Sequence, residues 1–197
     1  MIEEWTERQE EIMDQAVLLI AKSGIQGLTV RNLAKAIGVS EPALYRHFDS
    51  KTDILLGILD RFDRASQGMR ATLSSDDSPG LDQLKLFLEA SLSRFQQRPE
   101  ITAVIFAEEI FQNEPRLTEK VADIMRKHQA SLLALLTRGQ ACGTIRGDVP
   151  AEGLTLLIQG SIRLLVSRWR MADYGFDLVA EGRGLSEVLR TLLTHNK

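Results

Sequence analysis

The sequence predicts an all-α protein of about nine helices, an N-terminal three-helix helix-turn-helix domain followed by a larger C-terminal helical domain. Three observations carry that expectation. Apolar residues recur at three- and four-residue spacing along most of the 197 residues, with hardly a stretch of apolar–polar alternation that would read as a strand. Glycine, proline and serine–aspartate breakers fall at intervals of one helix length, and capping residues open the runs between them. A chain of this length with 44% apolar residues buries about 70% of its unfolded surface, so neither a metal nor a disulfide is needed to hold it together.

The elements follow in order. Thr6 and Gln9 form a capping box, after which Ile12, Ala16, Leu19 and Ile20 share one helical face until Gly24 stops the run. Thr29 caps a short second helix with Leu33, Ala34 and Ile37 inward, and Gly38 ends it. Ser40 caps a third helix that contains Leu44 and Phe48. Ser50 and Asp53 make a second capping box and open a longer fourth helix through Ile54, Leu55, Ile58, Leu59 and Phe62.

Residues 74–80, SSDDSPG, are the clearest loop, since each residue type favours a turn. Leu84, Phe87, Leu88, Ser91, Leu92 and Phe95 then stripe a fifth helix that Pro99 punctuates, and a short apolar segment runs from Ile101 to Phe111. A long amphipathic helix follows, with Leu117, Val121, Ile124, Met125, Leu132, Leu135 and Leu136 inward and Gly139 and residues 143–148, GTIRGD, at its end. Pro150 fits the first turn of a helix reaching Met171, and the last helix spans about Leu178 to Leu193. We place the domain boundary between residues 49 and 50: 1–49 form the helix-turn-helix domain, and 50–197 a dimerisation and effector-binding domain. The fourth helix runs on without a break, so no flexible linker separates the two.

The segment from Leu28 to Leu55 supplies two short helices around a glycine-containing turn, the arrangement that lays its second helix in the major groove of duplex DNA. Leu33, Ala34, Ile37, Val39, Leu44 and Phe48 are the inward set. Ser40, Glu41, Pro42, Ala43, Tyr45, Arg46 and His47 are left for the groove or the DNA backbone. The whole chain carries a formal charge of -3, yet residues 28–51 hold Arg31, Lys35, Arg46 and Lys51 against Glu41 and Asp49, a local balance of +2. Arg31 and Lys51 stand in the first turn of a helix, where a cation opposes the dipole unless an anion such as a phosphate binds there. Thr29 and Ser50, as caps, offer hydroxyls to the same phosphates, and Tyr45 and His47 suit phosphate or sugar contacts. Base reading is then left to Glu41, Pro42, Ala43 and either Tyr45 or Arg46.

The residues Gly24, Gly27-Leu28-Thr29-Val30-Arg31, Leu33-Ala34, Ile37-Gly38-Val39-Ser40, Ala43-Leu44-Tyr45, His47-Phe48, Lys51 and Ile54-Leu55, in this spacing, closely resemble the N-terminal domain of the TetR family of bacterial repressors. The match covers about 45 residues and its GVS…LY.HF..K core is specific; over residues 75–197 it rests on helix number and length. The resemblance implies a dimer on a palindromic operator, with Thr29, Tyr45, His47 and Lys51 on the DNA backbone. The stretch VSEPALYRHFDSKT is also similar to the nucleoid-occlusion members of that family, which bind many chromosomal sites and signal to a cell-division protein.

A dimer is expected physically as well, because one recognition helix reads only a few base pairs and two spaced about 34 Å apart read both halves of a palindrome. Its interface is expected on the last two helices, at Leu157, Gly160, Ser161, Leu164 and Arg168 and at Leu185, Val188, Leu189 and Leu192. Phe62, Met69, Phe87, Phe95, Phe106, Phe111, Met125 and Trp169 are the aromatic and thioether side chains suited to an apolar effector pocket, with His128 as a polar contact and Glu108, Glu109, Arg163 and Arg168 as further ones.

Other function classes find little support. There is no glycine-rich phosphate loop or nucleophile elbow, Glu108 and Glu109 are adjacent and do not face each other, and the histidines His47, His128 and His195 belong to separate helices. No enzyme, metal or cofactor is expected. Cys142 is the single cysteine, no apolar run reaches membrane-spanning length, and the acidic MIEEWTERQEE start does not read as a signal peptide, so a cytoplasmic protein is expected.

Overall fold

A computed structural model describes residues 5–73, 80–106 and 114–194. Among the described residues the chain forms nine α-helices, one 3-10 turn and no strand: α1 (Glu7–Gly27), α2 (Val30–Ile37), α3 (Glu41–Leu44), α4 (Lys51–Thr72), α5 (Leu81–Gln97), the 3-10 turn Pro99–Ile101, α6 (Thr102–Ile105), α7 (Pro115–Ala141), α8 (Ala151–Met171) and α9 (Leu178–Leu193). The expected SSDDSPG loop, apart from Gly80, lies outside the described residues, as do Glu108, Glu109, Phe111 and His195.

Two compact units emerge. The first takes the chain up to Asp63 together with Pro99–Ala122, and the second Arg64–Arg98 together with the chain from Asp123 onward, so α4 and α7 each contribute to both. In the first unit α1 is the central rod. Its capping box is formed, Thr6 accepting from the Gln9 N–H and Gln9 from the Thr6 N–H, and it buries Ile12, Met13, Ala16, Val17 and Ile20. Against these lie Leu28, Leu33, Ala34, Leu44 and Phe48, and Ile54, Leu55, Ile58 and Leu59 of α4 complete the core. Burial of one such side chain stabilises by about 1.5–3 kcal/mol, which is what fixes the short helices α2 and α3, neither of which would persist alone. Asp14 of α1 pairs with Arg61 of α4 at 2.6 Å.

Three expectations are corrected here. Gly24 breaks α1 with φ 65°, but one more helical turn follows to Gly27; the Leu28 N–H then closes on the Ile25 carbonyl and carries Leu28 inward. The third helix is shorter than expected: it ends at Leu44, and Phe48 lies beyond it. Ile37 and Val39, placed inward by spacing, are only half-buried, since they stand at the rim where α2 turns into α3.

In the second unit α5 packs on α9 so closely that a Cβ at Gly182 would come within 2.1 Å of Leu92 Cδ1. The core joins Leu84, Phe87 and Leu88 of α5, Leu132, Leu135 and Leu136 of α7, Leu154 and Ile158 of α8 and Leu189 and Leu193 of α9. The GTIRGD turn is tied by Gln140 Nε2, which donates to the carbonyls of Arg146 and Val149 at 2.8 Å each.

Candidate nucleic-acid interface

The helix-turn-helix is built from local rules. Thr29, in extended conformation, accepts from the Asn32 N–H at 3.1 Å, while Asn32 Nδ2 donates to the Gly27 carbonyl at 3.0 Å. α2 ends at Gly38 in the left-handed region, φ 75°; its N–H returns to the carbonyls of Ala34 and Lys35, and the Val39 N–H to Ala34 at 2.9 Å. A side chain at that φ is strained although the space around it is open, so glycine is a backbone requirement there. Ser40 caps α3, accepting from the Ala43 N–H at 3.4 Å, and Pro42 occupies the helix start where its missing N–H costs nothing.

After Leu44 the hydrogen bonds tighten from four-residue to three-residue closure: Arg46 N–H to Ala43 at 3.4 Å and His47 N–H to Leu44 at 3.0 Å. Tyr45, Arg46 and His47 therefore occupy a turn and not a continued helix. The carbonyl of His47 accepts from Gln9 Nε2 at 3.2 Å, and the ring of Phe48 stacks on Trp5 with centroids 6.0 Å apart.

Ser50 opens α4: its Oγ accepts from the Asp53 N–H at 3.2 Å and donates to Asp53 Oδ2 at 2.5 Å. Asp53 also receives Arg116 Nη2 from α7 at 2.7 Å. The Ser50 hydroxyl, and then Arg116, hold the Asp53 carboxyl below its ordinary 3.8, outweighing the opposing effect of burial. Further along, Lys120 of α7 reaches Asp60 at 3.0 Å and Asp63 at 3.7 Å. These ties anchor the helix whose first residue is Lys51.

The ten candidate DNA contacts share one property. Thr29, Arg31, Ser40, Glu41, Pro42, Tyr45, Arg46 and Lys51 are exposed and Ala43 and His47 half-buried, whereas Leu33, Ala34, Leu44 and Phe48 beneath them are buried. Arg31, Lys35, Arg46 and Lys51 form no ion pair among the described residues, so their charge is free to meet phosphates.

The expected partner face is mixed. Leu157, Gly160, Leu164, Arg168, Val188 and Leu192 are exposed on α8 and α9, and Ser161 and Leu185 half-buried. Leu189 is a correction: at 1% exposure it belongs to the core, because α9 turns Leu178, Gly182, Ser186, Leu189 and Leu193 inward. Two apolar residues missed by periodicity, Leu156 and Met171, are 72% and 78% exposed on α8.

The candidate effector set is dispersed. Phe62, buried, and Phe106, half-buried, belong to the first unit; Phe87, Phe95 and Trp169, buried, and His128, half-buried, belong to the second. Met125 is a correction: it is 57% exposed, since α7 turns its neighbour Ile124 inward and the next residue lies about 100° around the helix. Trp169 closes the α8–α9 corner, its indole N–H donating to the Phe176 carbonyl at 2.9 Å. His128 Nε2 lies 3.2 Å from Arg70 Nη1. Among the described residues no cluster of acidic, histidine or cysteine side chains fits a metal ion, and no helix is long and apolar enough to cross a membrane.

Comparison with known proteins assigns both parts of the chain. Residues 12–58 match the model for bacterial regulatory proteins of the tetR family, and residues 60–195 match the model for the C-terminal region of YsiA-like proteins. The fatty acid metabolism regulator protein of Bacillus subtilis is 27% identical over 188 residues, 95% of each chain. The nucleoid occlusion factor SlmA of Vibrio campbellii is 24% identical over 176 residues, 89% of this chain and 90% of that one. Among solved structures, the transcriptional regulator FadR from Bacillus subtilis in complex with stearoyl-CoA superposes with a TM-score of 0.79 at 25% identity, covering 93% of this chain and 97% of that one.

Proposed function

This chain belongs to the TetR family of bacterial regulatory proteins and is a DNA-binding transcriptional regulator; on that premise we propose that it represses by binding a palindromic operator as a homodimer and is released by a small, mostly apolar effector. The observation that carries the DNA-binding reading is the sorting of residues 29–51: the apolar residues beneath are buried, and all ten candidate contacts are exposed or half-buried above them. Residues 1–49, with Lys51 just beyond them, serve as the DNA-reading part and 50–197 as the dimerisation and effector part. The protein works where the chromosome is, in the cytoplasm, and its role is binding and not catalysis.

For the effector we propose a long acyl chain carried as a thioester. The similarity to the fatty acid metabolism regulator and to FadR with stearoyl-CoA supports this reading. The buried Phe87 and Phe95 of α5 give the second unit the apolar character such a chain needs. Binding then selects a dimer conformation in which α4 has swung and the two recognition segments no longer match the groove spacing, which requires the ligand to prefer that conformation.

The test is operator retention on a palindrome from the neighbouring intergenic DNA, with and without stearoyl-CoA. Release at micromolar ligand supports the reading, and retention through the whole range of acyl lengths removes the effector. A second reading, a nucleoid-occlusion protein, is favoured by the similarity to SlmA. Chromosome-wide mapping separates the two: one or a few promoter palindromes for the repressor, many scattered sites for occlusion.

A further inference from the structure

We propose that Gln9, in the first turn of α1 and outside the helix-turn-helix, is a positioning residue for DNA binding that holds the turn Tyr45–His47 through the carbonyl of His47. The inference rests on the reading that this turn meets the DNA backbone.

The two ends of the Gln9 amide are committed in different directions. Its Oε1 accepts from the Thr6 N–H at 3.0 Å and from the Thr6 hydroxyl at 3.1 Å, the reciprocal half of the α1 capping box. Its Nε2 donates to the His47 carbonyl at 3.2 Å, across 38 residues of sequence. Rotating the amide would set oxygen against a carbonyl and leave the Thr6 N–H facing a donor, so the partners fix its orientation.

The turn is only partly held by its own bonds, the His47 and Phe48 N–H groups both closing on the Leu44 carbonyl at 3.0 and 3.3 Å. α3 ends at Leu44, and the Arg46 bond back to Ala43 is long at 3.4 Å. One residue past His47, the ring of Phe48 stacks on Trp5, so the segment from Trp5 into the first turn of α1 grips two consecutive residues, one by backbone and one by ring. Tyr45 and Arg46 are exposed on that gripped turn. A hydrogen bond to phosphate fails beyond about 3.5 Å, so a shift of the turn by an ångström is enough to lose contacts at its tip.

Gln9→Glu separates positioning from folding. Glutamate still accepts from Thr6 and is favoured both at this place in a capping box and in a first helical turn, but it cannot donate to the His47 carbonyl. The expected result is a thermal midpoint equal to or above that of the native chain, an unchanged dimer and operator affinity about tenfold weaker, the scale of one lost hydrogen bond in each protomer. Gln9→Met removes the same donor without adding charge near DNA; it is expected to lose affinity comparably and to lower the slope of log affinity against log salt, since Arg46 rides on the displaced turn. Native affinity in both variants overturns the inference, as does weakening by Gln9→Glu alone. Lys51→Ala serves as the control: if it weakens binding while the Gln9 variants do not, only the positioning role fails, and if none of the three weakens it, the DNA-interface reading fails as well.

Discussion

At the residue scale, Lys51 and Tyr45 carry the sharpest expectations. Lys51 is exposed at the first position of α4, among backbone N–H groups that favour an anion, and Tyr45 is 50% exposed on the turn after α3. Lys51→Ala should weaken binding to all sequences and lower the slope of log affinity against log salt by about one per lysine, whereas Tyr45→Ala should weaken it with no change of slope. Titration of one duplex at several salt concentrations checks both. Exposure of Tyr45 was legible in the sequence because Leu44 and Phe48 on either side are the inward residues. The Gln9–His47 bond was not, since nothing local joins residues 38 apart. Met125 and Leu189 are misplaced by spacing for a different reason: successive residues advance about 100° around a helix, so one step along the chain moves a side chain from core to solvent.

At the element scale, the caps decide where helices start and stop, and caps are local. Thr6, Thr29, Ser40 and Ser50 each accept the backbone N–H expected of them. Ser50→Ala should cost about 1 kcal/mol of stability at neutral pH through the lost cap. Its effect is also pH-dependent. The folded Asp53 carboxyl lies below its ordinary 3.8, so its stabilisation is full above that value and is lost as pH falls through the folded value. With the Ser50 hydroxyl gone, the carboxyl moves back towards 3.8, and acid titration of the variant should show a shallower loss of stability below pH 4 than the native chain; an acid limb of unchanged steepness contradicts the assignment. The length of α3 was beyond local reading: a cap and a stripe marked its start, but its end at Leu44 is imposed by the need to turn into α4, and the Arg116 and Lys120 pairs that anchor α4 come from a helix more than 50 residues away.

At the scale of the whole molecule, function depends on two copies acting together. α8 and α9 present Leu156, Leu157, Leu164, Val188 and Leu192 to solvent, and apolar periodicity alone could not tell this outer stripe from the inner one of Leu154, Ile158, Leu165 and Trp169. Leu164→Glu, at a position 61% exposed, should leave the fold intact and shift the dimer to monomer in sedimentation, with operator affinity falling alongside; a dimer that persists at micromolar concentration contradicts this interface. The most direct test of the account is the acetylation rate of every lysine in the whole chain, free and saturated with duplex DNA at low salt. Lys51 should become protected on DNA and recover at high salt, while Lys85 on α5 reacts on DNA as it does in the free protein at the same salt; a Lys51 that reacts on DNA as fast as in the free protein contradicts the placement of this interface on the duplex.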